Sequence, residues 1–253
     1  MVGPPGFEPG TTSAPAGNTP PGWHPSQARR RPLNPSLPKY KALYKPLTQI
    51  SFGDRLRLFI AVEIEDEGVL RKIIEFRDAV LACSRGSRGM KGVEDENIHI
   101  TIRFIGEVPE TLLSDIKACV ERASRVPRFK VRVKGIGAFP NLSRPRVIWV
   151  AIEEGSEGLK ELHRAIEPCI RSFAKPERGE YIPHITVARV KGGIDRLCLA
   201  KVMEEFKNED FGSFTVTNVR LKRSVLRPSG PIYSDLHKVS LANEREGSNT
   251  SRS

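Results

Sequence analysis

His99-Ile100-Thr101-Ile102 and His184-Ile185-Thr186-Val187 are one four-residue pattern written twice, 85 positions apart. Alternate side chains of a strand share a face, so each copy sets a histidine and a threonine on one side and two β-branched apolar residues on the other. The apolar side demands a packed layer, and the polar side asks for a groove. Working outward, residues 56–62 read as a strand, and Val69, Leu70, Ile73, Ile74, Val80 and Leu81 recur at helical spacing. A basic, glycine-rich loop over 85–89 leads into the first H-I-T-I strand. Pro109 opens a second helix through Leu112, Leu113, Ile116 and Val120, and residues 129–139 form a third strand. The same order then returns: a strand over 146–152, a helical stripe from Leu159 to Phe173, the H-I-T-V strand, a helix over 197–206 and a strand over 214–219. Strands over 220–226 and 232–239 are additions. The duplication predicts an α+β fold of two pseudo-symmetric lobes, each an antiparallel sheet with helices on its outer face, enclosing a central groove.

The chain has 253 residues, 38% hydrophobic and 28% charged, enough for a substantial core. Its four cysteines, Cys83, Cys119, Cys169 and Cys198, are too few and too widely spaced for a disulfide framework and show no metal-ligand spacing. They fall one per predicted helix, which suits small buried apolar residues in a reduced, cytoplasmic protein. No apolar run approaches the roughly 20 residues that span a bilayer, and no secretory signal opens the chain. The expectation is a monomer with no membrane partner.

Net charge is +11. Residues 1–55 hold seven basic and two acidic groups, so nearly half the excess sits in a segment where 11 of the 20 prolines also fall. That segment cannot build a core and is expected to be a disordered basic tail, as is 241–253, leaving 56–240 as the folded domain. Gly6-Phe7-Glu8-Pro9 is the translation of a stretch resembling the T-loop of a transfer-RNA gene, so the expected true start lies near Leu56. The rival reading of the tail is an RNA-binding arm built on Arg29, Arg30, Arg31, Lys39, Lys41 and Lys45. The remaining excess on the body favours a polyanionic partner such as RNA, with a solvated basic surface as the plainer reading.

Two imidazoles and two hydroxyls around one groove match the needs of metal-free phosphodiester cleavage. One neutral imidazole removes a proton from the attacking oxygen while the other, protonated, donates to the departing ribose oxygen. Threonine hydroxyls are too weakly acidic for that work but hydrogen-bond nonbridging phosphate oxygens. No carboxylate or third histidine recurs beside His99 and His184 at ligand spacing, so no metal or other cofactor is expected. Phe59 and Trp149 are candidates for stacking a base, with a core role the more ordinary reading for aromatics in central strands. His24, His163 and His237 read as surface or core residues.

The run His99-Ile-Thr-Ile-Arg-Phe-Ile-Gly-Glu, with Pro183-His184-Ile-Thr-Val-Ala-Arg, Arg57-Leu-Phe-Ile-Ala-Val and Pro145-Arg-Val-Ile-Trp, resembles the 2H phosphoesterase superfamily. Within it the chain most resembles the RNA 2′,3′-cyclic phosphodiesterases, also called 2′-5′ RNA ligases, over residues 56–239. The resemblance implies hydrolysis of an RNA 2′,3′-cyclic phosphate, transfer-RNA fragments included, to a 2′-phosphomonoester. It implies His99 as proton donor and His184 as proton acceptor, and a reverse reaction that joins such an end to a 5′-hydroxyl without ATP. Arg189 matches a basic position of the family and offers a guanidinium fork to phosphate. Its odd offset from His184 puts it on the wrong face of a regular strand, so the role requires a bulge or a strand end. The competing function is a noncatalytic RNA-binding module on the same fold.

Overall fold

The computed structural model describes residues 55–243 apart from Ser87, Arg88, Arg178 and Ser229. The tail readings for 1–54 and 244–253 lie outside the described residues. The first repeat runs β1 (Arg55–Glu63), α1 (Glu67–Ala82), β2 (Met90–Gly92), β3 (His99–Pro109), α2 (Leu113–Val120) and β4 (Phe129–Phe139). The second runs β5 (Val147–Glu154), α3 (Ser156–Ile170), β6 (His184–Val190), α4 (Arg196–Glu205) and β7 (Asp210–Val216), followed by β8 (Asn218–Leu226) and β9 (Pro231–Ser240). Local chemistry sets the starts. The Asp66 and Asp195 carboxylates accept from the Val69 and Cys198 amides, capping α1 and α4. Gly155 precedes α3 at φ 83°, and a Cβ there would sit 2.4 Å from the Lys130 carbonyl oxygen, so the turn needs glycine.

Among the described residues the strands form one antiparallel sheet in the order β7-β4-β5-β6-β3-β1-β8-β9, with β2 added to β6. The order is symmetric about its midpoint: β6 answers β3, β5 answers β1, β4 answers β8 and β7 answers β9. At the midpoint β3 and β6 pair at a single position, Ile100 opposite Ile185. Ile100, Ile102, Ile185 and Val187 are at most 1% exposed, and the helices cover that face.

The α+β class and the antiparallel strands agree with the sequence reading, but the halves in space are not the halves in sequence. β4, from the first repeat, joins β5 of the second, while β8 joins β1. The helices cross as well, α1 lying with α4 over β6 and β7, and α3 lying with α2 beside β3. A strand's own residues record which face is apolar, not which neighbour supplies its hydrogen bonds, so periodicity could not reveal the exchange. The strand expected over 214–219 is divided at Thr217, its last residues belonging to β8.

The cysteine reading is corrected. Cys83 is bonded to Cys198 and Cys119 to Cys169, with Cα separations of 5.4 and 5.5 Å. Cys119, Cys169 and Cys198 lie in α2, α3 and α4 and Cys83 ends α1, and the helix crossover sets α1 beside α4 and α2 beside α3, inside disulfide reach. Each bond therefore ties one sequence repeat to the other, and the inference of a reducing compartment loses its basis. The domain boundary also moves: Arg55 belongs to β1, and Leu241, only 3% exposed, and Ala242 hydrogen-bond the Thr217 and Val126 carbonyls. No helix among the described residues is long and apolar enough to cross a membrane.

Candidate active site

Extending the Ile100–Ile185 register by one step sets His99 across from Thr186 and Thr101 across from His184. The two imidazoles thus occupy diagonal corners, an arrangement whose backbone spacing is roughly 7–8 Å in an antiparallel pair. Each ring is anchored the same way. Nδ1 of His99 lies 2.7 Å from the Asn97 carbonyl oxygen, and Nδ1 of His184 lies 2.7 Å from that of Ile182. A carbonyl only accepts, so Nδ1 carries hydrogen and Nε2 of the neutral ring holds a free lone pair. Thr101 Oγ1 is 2.9 Å from Nε2 of His99.

Both rings are wedged among aromatics. Phe59 and Tyr233 lie 5.1 and 5.7 Å from His99, and Phe139 and Trp149 lie 5.1 and 6.1 Å from His184. Burial pushes both imidazoles below the ordinary histidine value. At His99 the Asn97 carbonyl and the Glu63 charge oppose the shift, while Lys222 and Arg189 reinforce it. At His184 the Ile182 carbonyl opposes it and Arg189 reinforces it. An anion arriving between the rings draws both values back up.

The bulge that Arg189 requires is present. In the β5–β6 pairing Ile148 faces Ala188 while Trp149 faces Thr186, leaving Val187 as the extra residue. Parity inverts there, Val187 and Ala188 are both buried, and Arg189 emerges on the histidine face. β3 repeats the device: Ile60 faces Arg103 and Ala61 faces Thr101, with Ile102 as the extra residue. Phe104 emerges there, 85 positions before Arg189.

His99, Thr101, Thr186 and Arg189 line a cleft of about 680 Å³, and His184 stands at its side, two residues from Thr186 on the same strand face. Five cations, among them Arg57, Lys191 and Arg227, line the cleft against one carboxylate, Glu94. The field there favours a multiply charged anion. Of the two aromatics proposed for stacking, Phe59 is 3% exposed and serves as a wall for the His99 ring. Trp149 lies over Gly137, where a Cβ would meet its ring at 2.2 Å, and its Nε1 is buried without a hydrogen-bond partner.

Sequence reasoning missed a brace behind the site. Tyr181 donates its hydroxyl to the Thr101 carbonyl at 3.0 Å and stacks on His163 at 4.7 Å. Arg103, 3% exposed, grips Glu167 through two nitrogens and also meets Glu177, tying β3 to α3 and the loop after it. His163, Glu167 and Glu177 are close enough to suggest a metal site, but Arg103 already pairs with both carboxylates. Tyr181 sits outside any periodic segment, so only its size in a polar loop marked it. His237 pairs with Glu121 away from the cleft, and His24 lies outside the described residues.

This architecture is that of the 2H phosphoesterases. The solved structure of TT0787 of Thermus thermophilus is similar at a TM-score of 0.63 and 32% identity, covering 75% of this chain and all of that one. LigT of E. coli in its apo form has a TM-score of 0.60 at 22% identity over 76% of this chain and 100% of that one, a likeness of fold alone. A family profile described as the 2′-5′ RNA ligase superfamily matches residues 70–225, and the chain belongs to that family. It is 42% identical over 156 residues to an RNA 2′,3′-cyclic phosphodiesterase of Aeropyrum pernix, across 60% of this chain and 87% of the relative. It is 36% identical over 181 residues to the protein of the same name from Archaeoglobus fulgidus, across 72% and 98%.

Proposed function

We propose that the protein is an RNA 2′,3′-cyclic phosphodiesterase working by paired-histidine acid–base catalysis. The observation that carries the reading is the pair of diagonal imidazoles, each held through Nδ1 by a backbone carbonyl, with His99 lining a cationic cleft and His184 beside it. His184 Nε2 takes a proton from water as its oxygen attacks phosphorus. The bond from phosphorus to the ribose 3′-oxygen breaks, and His99 Nε2–H protonates that oxygen, leaving a 2′-phosphomonoester and a 3′-hydroxyl. Thr101, Thr186 and Arg189 hold the nonbridging oxygens as charge gathers on them. With the 5′-hydroxyl of a second RNA in place of water, the same steps give a 2′-5′ linkage without ATP. Such a hydroxyl must compete with water, so hydrolysis dominates at ordinary RNA concentrations.

The reading includes a monomer that acts on RNA ends, transfer-RNA fragments among them, in the cytoplasm. Two disulfides fit that compartment where intracellular proteins are disulfide-rich, as in hyperthermophiles. The test is to incubate the protein with an RNA bearing a terminal 2′,3′-cyclic phosphate and identify the end formed. A 2′-phosphate is expected. Binding without turnover would replace the enzyme with a noncatalytic RNA-binding module, and a 3′-phosphate would reverse the assignment of the leaving oxygen.

A further inference from the structure

One strand further out, the register sets different walls behind the two histidines. Glu63 on β1 stands directly opposite His99, and Ala151 on β5 stands directly opposite His184. Opposite residues of an antiparallel pair share a face, with Cα atoms roughly 4.5–5.5 Å apart, so the Glu63 side chain lies on the groove side with the His99 ring. The same relation extends to the next strands: Lys222 on β8 reaches Phe104 through Phe59, as Phe139 on β4 reaches Arg189 through Val147. Lys222, only 7% exposed, pairs with Glu63 and lies 2.9 Å from Asp235 of β9. An ammonium this buried needs its carboxylates, so the pair is fixed in place. His99 is thus backed by ions, and His184 by a methyl group and two aromatic rings.

The other groups around the rings do not tell them apart. Arg189 on β6 acts on both. Tyr233 on β9 faces His99, but burial holds its phenol above the ordinary range and it brings no charge. Asp235 is taken up by Lys222 and Arg220, and Glu94, on the loop before β3, by Lys91. His99 is the more deeply buried ring, and burial alone would make it the harder one to protonate, the wrong way round for a proton donor. Glu63 opposes that, and its effect on His99 exceeds that of Lys222.

We propose that Glu63, held by Lys222, is a positioning residue that assigns proton donation to His99 and leaves proton acceptance to His184. The carboxylate favours the imidazolium across the strand pair, while the apolar wall behind His184 offers a cation nothing. Lys222 tempers the effect, since an unpaired carboxylate would hold the proton too firmly for release to the departing ribose oxygen. The inference rests on the cyclic-phosphate reading and adds to it the reason for the direction of proton transfer.

The test follows both imidazoles by NMR titration of the full chain without substrate, beside the pH profile of kcat/KM on adenosine 2′,3′-cyclic phosphate. Glu63→Gln keeps the shape and removes the charge. It is expected to lower the His99 midpoint by about half a pH unit or more, leave His184 nearly in place, and move the alkaline limb of the profile to lower pH. Lys222→Gln keeps an N–H donor toward Glu63 and removes the opposing cation, so the His99 midpoint and that limb should move to higher pH. Damage to the fold has no reason to give shifts of opposite sign confined to one ring. An unmoved His99, shifts of one sign in both variants, or an equal shift at His184 would overturn the assignment. If the unmodified protein leaves the cyclic phosphate intact, the cyclic-phosphate reading falls instead, while the imidazole titrations still report whether Glu63 sets the two rings apart.

Discussion

The half of the sheet that carries His99 and the half that carries His184 obey one backbone rule and break it with side chains. Both hold Nδ1 by the carbonyl two residues upstream, and both carry a bulge three residues after the histidine. Each helix layer also carries one disulfide. Against that frame, His99 meets the Thr101 hydroxyl, whereas no such contact links His184 and Thr186 among the described residues. The strand position after the bulge is Phe104 in one half and Arg189 in the other. Glu63 acts on His99, with Lys222 pairing that carboxylate, whereas His184 feels the Arg189 cation with no carboxylate beside it among the described residues and packs against Phe139 and Trp149. A cyclic phosphodiester is itself unsymmetric, with water entering on one side and a ribose oxygen leaving on the other. Duplication supplies two equal frames, and on the proposed mechanism the departures from symmetry are where the two tasks would be divided.

The sharpest way to break the comparison is to delete one imidazole at a time. General acid–base catalysis contributes about 10²–10⁴-fold, and His99→Ala and His184→Ala are each expected to lose that much in kcat. The double variant should be little worse than the poorer single one, because the pair acts as a unit. The pH profile sharpens the same point. The rate falls with rising pH as the acid loses its proton and with falling pH as the base gains one, giving a bell whose limbs belong to the pair. Burial lowers both histidines in the free protein, so the kcat/KM bell should lie on the acid side of the ordinary value of about 6.5. Bound phosphate raises both, so the kcat bell should lie higher. Stopped assays across pH on a short cyclic-phosphate RNA measure this, and identical kcat and kcat/KM profiles would count against an anion seated between the rings.

Next in size comes the pair of disulfides. Closing loops of 115 and 50 residues stabilises by about 5 and about 4 kcal/mol respectively in the chain-entropy estimate. Cys83→Ala with Cys198→Ala, and separately Cys119→Ala with Cys169→Ala, should each lower the thermal midpoint, the longer loop slightly more. Because each bond joins the two repeats within one helix layer, the sheet pairing that builds the cleft is not cut, and turnover at moderate temperature should survive. Thermal scans with and without reductant measure this. An unchanged midpoint in reductant would mean the bonds are absent in solution.

The paired H-I-T strands, the helical stripes and the ends of β4 were legible in the sequence because each is a local alternation, written in which side chains must be buried. The exchange of β4 and β8 was not, since pairing partners leave no mark on a strand's own period. Arg189 came with a condition attached, and the bulge at Val187 meets that condition. Phe104 satisfies the same condition at the same offset from His99, yet an exposed aromatic in an apolar strand reads as core until the bulge is seen. The cysteines failed for the reason the strands did: their contacts were set by the crossover.

Thr101 and Thr186 divide the halves more finely. In the proposed mechanism, removing either hydroxyl would delete a contact to phosphate, worth about tenfold or more when the partner is charged. Only Thr101 also touches an imidazole, so Thr101→Val should lower kcat and displace a limb of the pH profile, whereas Thr186→Val should act mainly through KM with both limbs in place. Equal profiles for the two variants would make the contact to His99 catalytically idle.

The smallest expected effect concerns Tyr181, which braces one half alone, since the residue 85 positions earlier is the exposed Glu96. β3 and β6 separate after their single pairing at Ile100, and the Tyr181 hydroxyl caps the Thr101 carbonyl where β6 no longer pairs. Burial pushes the phenol well above its ordinary value, so it remains a donor at every working pH. Tyr181→Phe keeps the ring and its stack on His163 while deleting one hydrogen bond, typically about 1 kcal/mol. In a domain of this size that is roughly 2–4 °C of thermal midpoint. If the bond merely stabilises, only the midpoint moves. If it positions Thr101 against His99, kcat falls severalfold with KM nearly constant and the limb displaced in Thr101→Val shifts in the same sense. A lowered midpoint with unchanged kcat and pH profile would reduce Tyr181 to scaffolding, and the two halves would then differ only in the groups that face the cleft.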